Sequence, residues 1–184
     1  EIAWQRYTAA VLNHHYQLAR YLQRFFISDK FQQLASNFYQ VDRDPKTIGN
    51  YQLFQHQGKF LENEEIHAIV IHGLTHLARQ DAVIALKHWN RYQQIHTFTD
   101  EQKTEVISDL VKGLYSQEHE KVADGYLLEN LSLVEPELLE WRARKAMRES
   151  NWDQLHEWIT RMPESLKEED RWLYWRARSS ELAQ

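Results

Sequence analysis

Three histidines, His67, His72 and His76, are the first residues whose types and spacing suggest chemistry. His72 and His76 stand at i and i+4, so on a helix both imidazoles share one face, as in zinc-binding helices. The rest of a zinc-hydrolase motif is missing, because Gly73 stands where a general-base Glu would follow His72. The run from Ile66 to Leu77 is strongly apolar, which favours imidazoles that edge a helix interface, so no metal ligand is assigned. His14 and His15 are adjacent and point about 100° apart on a helix, so they do not converge on one ion. A metal-dependent enzyme built on His67, His72 and His76 stands as an alternative that a metal assay would test.

Glu149-Ser150 is the second candidate. The segment Met147-Arg148-Glu149-Ser150-Asn151-Trp152 superficially resembles the helix-borne Glu-Ser that begins the catalytic motif of lytic transglycosylases and goose-type lysozymes. There the Glu is general acid and base on a glycosidic bond, which needs a pKa raised by a shielded pocket and groups that hold the sugar. In those families a Gly-Leu-Met-Gln segment supplies part of this, and no Gly occurs here after Gly125. The expected role is structural: Glu149 ends one helix and Ser150 caps the next. Trp141, Trp152, Trp158, Trp172 and Trp175, with Arg142, Arg144, Arg176 and Arg178, offer a sugar or peptide platform on paper. Their periodic placement favours helix packing instead, with Arg stems covering indole edges. A Gly-rich phosphate loop and a Gly-x-Ser-x-Gly elbow are both absent from the sequence. No catalytic, cofactor-binding or metal residue is assigned, and no cofactor is expected.

The elements that carry these residues read as helices throughout. Apolar residues recur at threes and fours in Trp4, Tyr7, Val11 and Leu12, and after Asn13 in Tyr16, Ala19, Leu22 and Phe26. Asp29 is expected to cap a short segment with Phe31, Leu34, Phe38 and Val41. Asp44-Pro45 is a start signal, while Gly49 and Gly58 loosen a stretch, 42–62, that is the least regular. Asn63 or Glu64 opens a helix through Ile66, Ile69, Val70, Leu74 and Leu77, and its partner carries Val83, Ile84, Leu86, Trp89 and Tyr92. Thr99 and Gln102 form a capping box for a helix through Val106, Leu110, Val111 and Leu114. A segment from about His119 to Leu131 follows. Pro136 starts a helix through Leu139, Ala143 and Met147, Asn151 or Ser150 caps the next, Pro163 ends it, and Ser165 to Glu168 launch the last. About ten helices and no plausible strand give an all-α fold.

Trp141-Arg142-Ala143-Arg144 reappears as Trp175-Arg176-Ala177-Arg178, 34 residues on, and Leu138 and Trp172 share that offset. The spacing fits one helix-turn-helix unit of a solenoid. Neither hairpin buries its Trp-bearing stripe alone, and stacking hides each large apolar side chain for roughly 1.5–3 kcal/mol. The expected architecture is a TPR-like superhelical array of antiparallel hairpins, with 1–184 a single fragment of a longer array.

Composition agrees. Five Gly and three Pro in 184 residues are about a third of ordinary usage, which disfavours sandwiches and barrels. Hydrophobic residues make up 42%, enough apolar surface to exclude intrinsic disorder. The net charge of -5 argues against a generic grip on nucleic acid. No apolar stretch approaches the roughly 20 residues that span a bilayer. There is no Cys, so thiolate chemistry is excluded while the redox compartment stays open.

Residues 65–184 resemble the superhelical region of the periplasmic soluble lytic murein transglycosylases of Gram-negative bacteria. The likeness rests on His76-Leu77-Ala78-Arg79-Gln80-Asp81-Ala82, the Thr99-Asp100-Glu101-Gln102 helix start, Trp158-Ile159-Thr160-Arg161-Met162-Pro163, Lys167-Glu168, and Trp172-Leu173-Tyr174-Trp175-Arg176-Ala177-Arg178. The resemblance implies a periplasmic cell-wall lyase that cleaves the bond between N-acetylmuramic acid and N-acetylglucosamine with a 1,6-anhydro product. It implies that this chain is scaffold, its partners being the parent's lysozyme-like catalytic domain and, through it, peptidoglycan strands. The family's catalytic Glu lies beyond the matched segment, so none is carried over and the fragment alone is expected to be inactive. A free-standing helical-repeat module that binds a protein or peptide is the other reading.

Overall fold

A computed structural model describes residues 2–54 and 61–182. Gly58 lies outside the described residues. Eleven α-helices and three short 3₁₀ segments account for the ordered backbone, and no strand occurs among the described residues. Two compact units divide the chain, Glu1–Tyr126 and Leu127–Gln184.

The first unit begins with α1 (Ile2–Leu12), α2 (Tyr16–Gln23) and α3 (Asp29–Arg43). Trp4, Tyr7 and Val11 bury as their spacing predicts, with Ala10 beside them, whereas Leu12 is half exposed. The expected Asp29 cap is displaced by one residue. Ser28 holds the extended cap position and its carbonyl accepts from Gln32 N–H at 3.1 Å, so Asp29 is the first helical residue. There its charge faces the positive end of the helix dipole. α3 is also no short segment, running fifteen residues to Arg43.

Between α3 and residue 54, the described part of the irregular stretch forms two 3₁₀ turns, Pro45–Gly49 and Tyr51–Phe54. Asp44 caps the first, accepting from Lys46 N–H at 3.1 Å. Both turns are pinned by side chains from a later helix and the residue that ends it, because Tyr92 Oη donates to the Ile48 carbonyl at 2.7 Å and His96 Nε2 bonds the Phe54 carbonyl at 2.8 Å.

α4 starts at Leu61, earlier than Asn63 or Glu64, and runs to Gln80. It is the hub, packing on α3, on the first 3₁₀ turn, on α5 (Ala82–Ile95) and on α6 (Asp100–Ser116). The predicted α5 stripe is rotated: Ala82, Ala85, Trp89 and Tyr92 bury, while Val83 and Ile84 face solvent. Asp81 sets this register by accepting from Ile84 N–H at 3.0 Å. The Thr99 capping box forms as read. Where α4 meets α6, Gly113 brings the two backbones together. A side-chain amide then locks the α4–α5 corner, Gln117 donating to the Ala78 carbonyl at 2.9 Å and accepting from Ala82 N–H at 2.8 Å. The boundary between units falls within α7 (Glu120–Glu129).

The second unit holds α8 (Pro136–Arg148), α9 (Trp152–Arg161), the single turn α10 (Glu164–Lys167) and α11 (Asp170–Leu182). α9 packs against both α8 and α11. Pro136 sits at the first helical position, as expected. The Ser165–Glu168 box does not launch the last helix. Leu166 and Lys167 N–H both donate to the Pro163 carbonyl at 3.0 Å, closing a separate turn, and α11 starts only after Glu169, whose carbonyl accepts from Trp172 and Leu173.

Three helix reversals share one turn. His14, Glu118 and Ser150 are the only non-Gly residues with positive φ among the described residues, at 57°, 63° and 56°. Each ends its helix with two main-chain bonds. The left-handed residue donates three back, to Val11, Tyr115 and Met147, and the next residue donates five back, to Ala10, Leu114 and Ala146. This is the Schellman arrangement, built here without the usual glycine. Asn151, not Ser150, caps α9, accepting from Gln154 N–H at 3.2 Å, because Ser150 is spent on the left-handed turn. Ser150→Gly is therefore expected to raise stability by about 1 kcal/mol, the steric cost of a left-handed L-residue. A chemical melt of the variant checks this, and an unchanged midpoint would refute the turn geometry.

Two buried phenols make the first unit sensitive to alkali. Tyr7 Oη donates to the Ala35 carbonyl at 2.5 Å, and burial pushes its pKa up, as it does for Tyr92. A folded-state pKa above the unfolded value means the neutral phenol is the form folding prefers. That stability is intact below about pH 10, the ordinary tyrosine value, and is lost as pH rises beyond it. Alkaline unfolding is expected to begin there, with Tyr7 and Tyr92 ionising only as the fold opens. Absorbance at 295 nm followed alongside circular dichroism checks the coincidence, and Tyr7→Phe should delay the transition.

Candidate functional site

The structure gathers part of the histidine set and adds a residue the sequence reading did not select. His72 and His76 lie on one face of α4, their rings 4.2 Å apart centre to centre. Asp42, in the last turn of α3, joins them, and the three ligand-type atoms lie within 4.8 Å of one another. His67 is elsewhere on α4, buried against His96 and Phe98. The apolar setting places His67 as expected, while His72 and His76 face a polar pocket instead.

Asp42 is the centre of this pocket. Its side chain has no solvent exposure, yet no Lys or Arg pairs with it among the described residues. His72 Nε2 donates to Oδ1 at 2.9 Å, so in this arrangement that nitrogen carries the proton. Tyr16 Oη donates to Oδ2 at 2.8 Å and itself accepts from His14 Nδ1 at 2.8 Å. His76 has no hydrogen-bond partner among the described residues. Burial, then the neighbouring His72 and Arg79, pull its pKa down, with Asp42 opposing, so neutral imidazole is favoured. From α6, Glu105 has a raised pKa through burial and Asp109, with His72 pulling the other way. Asp109 pairs with Arg79 at 3.0 Å.

The second unit has its own buried charge, again an unselected acid. Glu140 Oε1 accepts from Arg171 at 2.5 Å and from Trp172 Nε1 at 3.1 Å, and Oε2 pairs with Arg144. Trp158 and Trp172 are core residues, and Arg142 and Arg144 lie over their rings as the Arg-stem reading predicts, joined by Arg171, which that reading did not include. Arg142 is itself buried and donates to Gln154 Oε1 at 2.7 Å. Trp141, Trp152 and Trp175 depart from the all-core expectation. Trp141 is 38% exposed, and Trp152 stacks parallel on half-buried Trp175 with centres 6.4 Å apart. Arg178 pairs with Glu181 rather than with an indole. Glu149 lies on the surface with Lys145 at 2.5 Å, which is not a shielded position for a general acid.

An acid inside an apolar stripe was the available signal for both centres. Asp42 follows Ala35 and Phe38 on one helix face, and Glu140 shares its face with Ala143. Burying a carboxylate demands donors, so such a residue announces partners on another element.

The fold defined by these helices is an all-α array related to that of the lytic transglycosylases. It matches a solved structure of an inactive variant of the lytic transglycosylase Slt from Pseudomonas aeruginosa, with a TM-score of 0.74 and 24% identity. The match covers 99% of this chain and 28% of that one. This is a likeness of fold. No family model and no curated protein matches the chain. No helix among the described residues is long and apolar enough to cross a membrane.

Proposed function

We propose that the chain is non-catalytic helical scaffold of a periplasmic peptidoglycan lytic transglycosylase, an enzyme of cell-wall turnover. Two observations support this reading: nearly the whole chain matches 28% of Slt in fold, and the block from Trp158 to Arg178 resembles the family's order of Trp-led helix, Met-Pro, charged joint and Trp-x-Tyr-Trp helix. The physical role is spatial. The helices of the first unit share one buried core, and each unit has its own buried charge network, which stiffens that unit. On this support a lysozyme-like catalytic domain is held beside the glycan strand, and access to that domain is narrowed. No residue of this chain is given a part in breaking the glycosidic bond.

Incubating the purified 184-residue chain with murein sacculi is expected to release no 1,6-anhydro-muropeptides. Their appearance would overturn the scaffold reading. The reading frame that encodes the chain supplies the positive arm: a downstream Glu-Ser followed by Gly-Leu-Met-Gln supports a lytic transglycosylase parent, and a frame without a lysozyme-like domain refutes it.

A further inference from the structure

The geometry points to a divalent transition-metal site, of zinc type, formed by Asp42, His72 and His76 and clamping α3 to α4. The donor set is two imidazoles one helical turn apart and one carboxylate from the neighbouring helix, all within 4.8 Å. Nitrogen and oxygen donors in this number suit zinc with a fourth, water position, and copper(II) or nickel(II) would compete for the same atoms.

The buried charge argues for a cation there. Asp42 is enclosed, and its neighbours are imidazoles and a phenol rather than a guanidinium or ammonium. One contact of the set is already close to ligand spacing. His72 Nε2 and Asp42 Oδ1 are 2.9 Å apart, and two tetrahedral zinc ligands at about 2.0 Å from the ion stand about 3.3 Å apart. Binding takes a few tenths of an ångström of opening at this pair and a closing of His76, now within 4.8 Å, toward the same spacing, the Nε2 proton leaving to solvent as the ion binds. His76 needs no bond broken, having no hydrogen-bond partner among the described residues.

The surroundings complete the site. Tyr16 Oη holds Oδ2 of the ligating carboxylate, the kind of outer contact that orients metal ligands. His14 supports Tyr16 from α1–α2, and Glu105 with Asp109, from α6, offset the remaining positive charge, while Arg79 opposes it. The site is independent of the scaffold reading, which stands or falls on other measurements.

Chelator-treated chain titrated with Co²⁺ alone is expected to give one saturable equivalent with the visible bands of tetrahedral cobalt, discharged by one equivalent of Zn²⁺. His76→Ala removes a direct ligand and should weaken zinc binding by at least about 100-fold, and Tyr16→Phe, an outer contact, by about 10-fold. Asp42→Asn keeps the volume and should also abolish the cobalt bands. His15→Ala, at an exposed neighbour, should change nothing. Absence of tetrahedral bands, or binding that survives His76→Ala and falls with His15→Ala, would overturn the assignment.

Discussion

Replacing Gly113 by alanine is expected to lower stability by about 3 kcal/mol, the upper end of ordinary overpacking costs. A Cβ at this position would stand 2.3 Å from the Ala78 carbonyl oxygen and 3.0 Å from Ala82 Cβ. The obstacle is backbone, so no rotamer change relieves it; α4 and α6 must separate. Separation also strains the Gln117 clasp, whose amide donates to that same carbonyl at 2.9 Å. Alanine's better helix propensity returns only about 1 kcal/mol of a larger steric loss. Gly125 provides the contrast. Nothing lies within 4 Å of its would-be Cβ, so Gly125→Ala should stabilise by about 0.5–1 kcal/mol. Urea melts of both variants test the pair, and a Gly113→Ala protein as stable as the parent would mean that the helices do not approach through this residue.

Glu140→Ala is expected to cost about 2–3 kcal/mol in the second unit. Removing one member of a buried ion network leaves the others desolvated, at about 3–5 kcal/mol when all are enclosed. Arg144 and Arg171 are close to half exposed, and water takes up part of the loss. Trp172 has no such relief, because the indole is buried and its N–H bonds to Glu140. Glu140→Gln keeps an acceptor for the indole and removes the charge, so it should cost about 1 kcal/mol, a hydrogen bond's worth rather than a network's. Equal effects of the two variants would show that charge, and not the indole bond, holds α8 to α11. Tryptophan fluorescence during unfolding follows this region directly.

Helix identity was legible because the period of apolar residues is a property of single elements. Thr99, Pro136 and Pro163 marked their boundaries by local chemistry alone. What failed was decided between elements. The Val83–Ile84 face of α5 lost to that of Ala82, Ala85, Trp89 and Tyr92, and at Ala82 the close approach of Gly113 leaves no room for a larger side chain. Ser150 looks like a cap in sequence and is a turn residue in three dimensions, since Asn151 is the better acceptor one position later. The candidate pocket was half visible: the His72/His76 spacing pointed to a shared face, but its centre, Asp42, comes from a helix thirty residues earlier, and no local pattern links the two. Glu140 was half visible too: Arg144 stands one turn along α8, but Arg171 and Trp172 come from α11.

The Schellman reversals at His14, Glu118 and Ser150 bear on how such a chain changes over time. Their bonds run between main-chain atoms, so the reversal is built without a particular side chain, at the steric cost of a left-handed L-residue. Glycine fits the three left-handed positions best, and proline at any of them, or at His15, His119 or Asn151, deletes a donor.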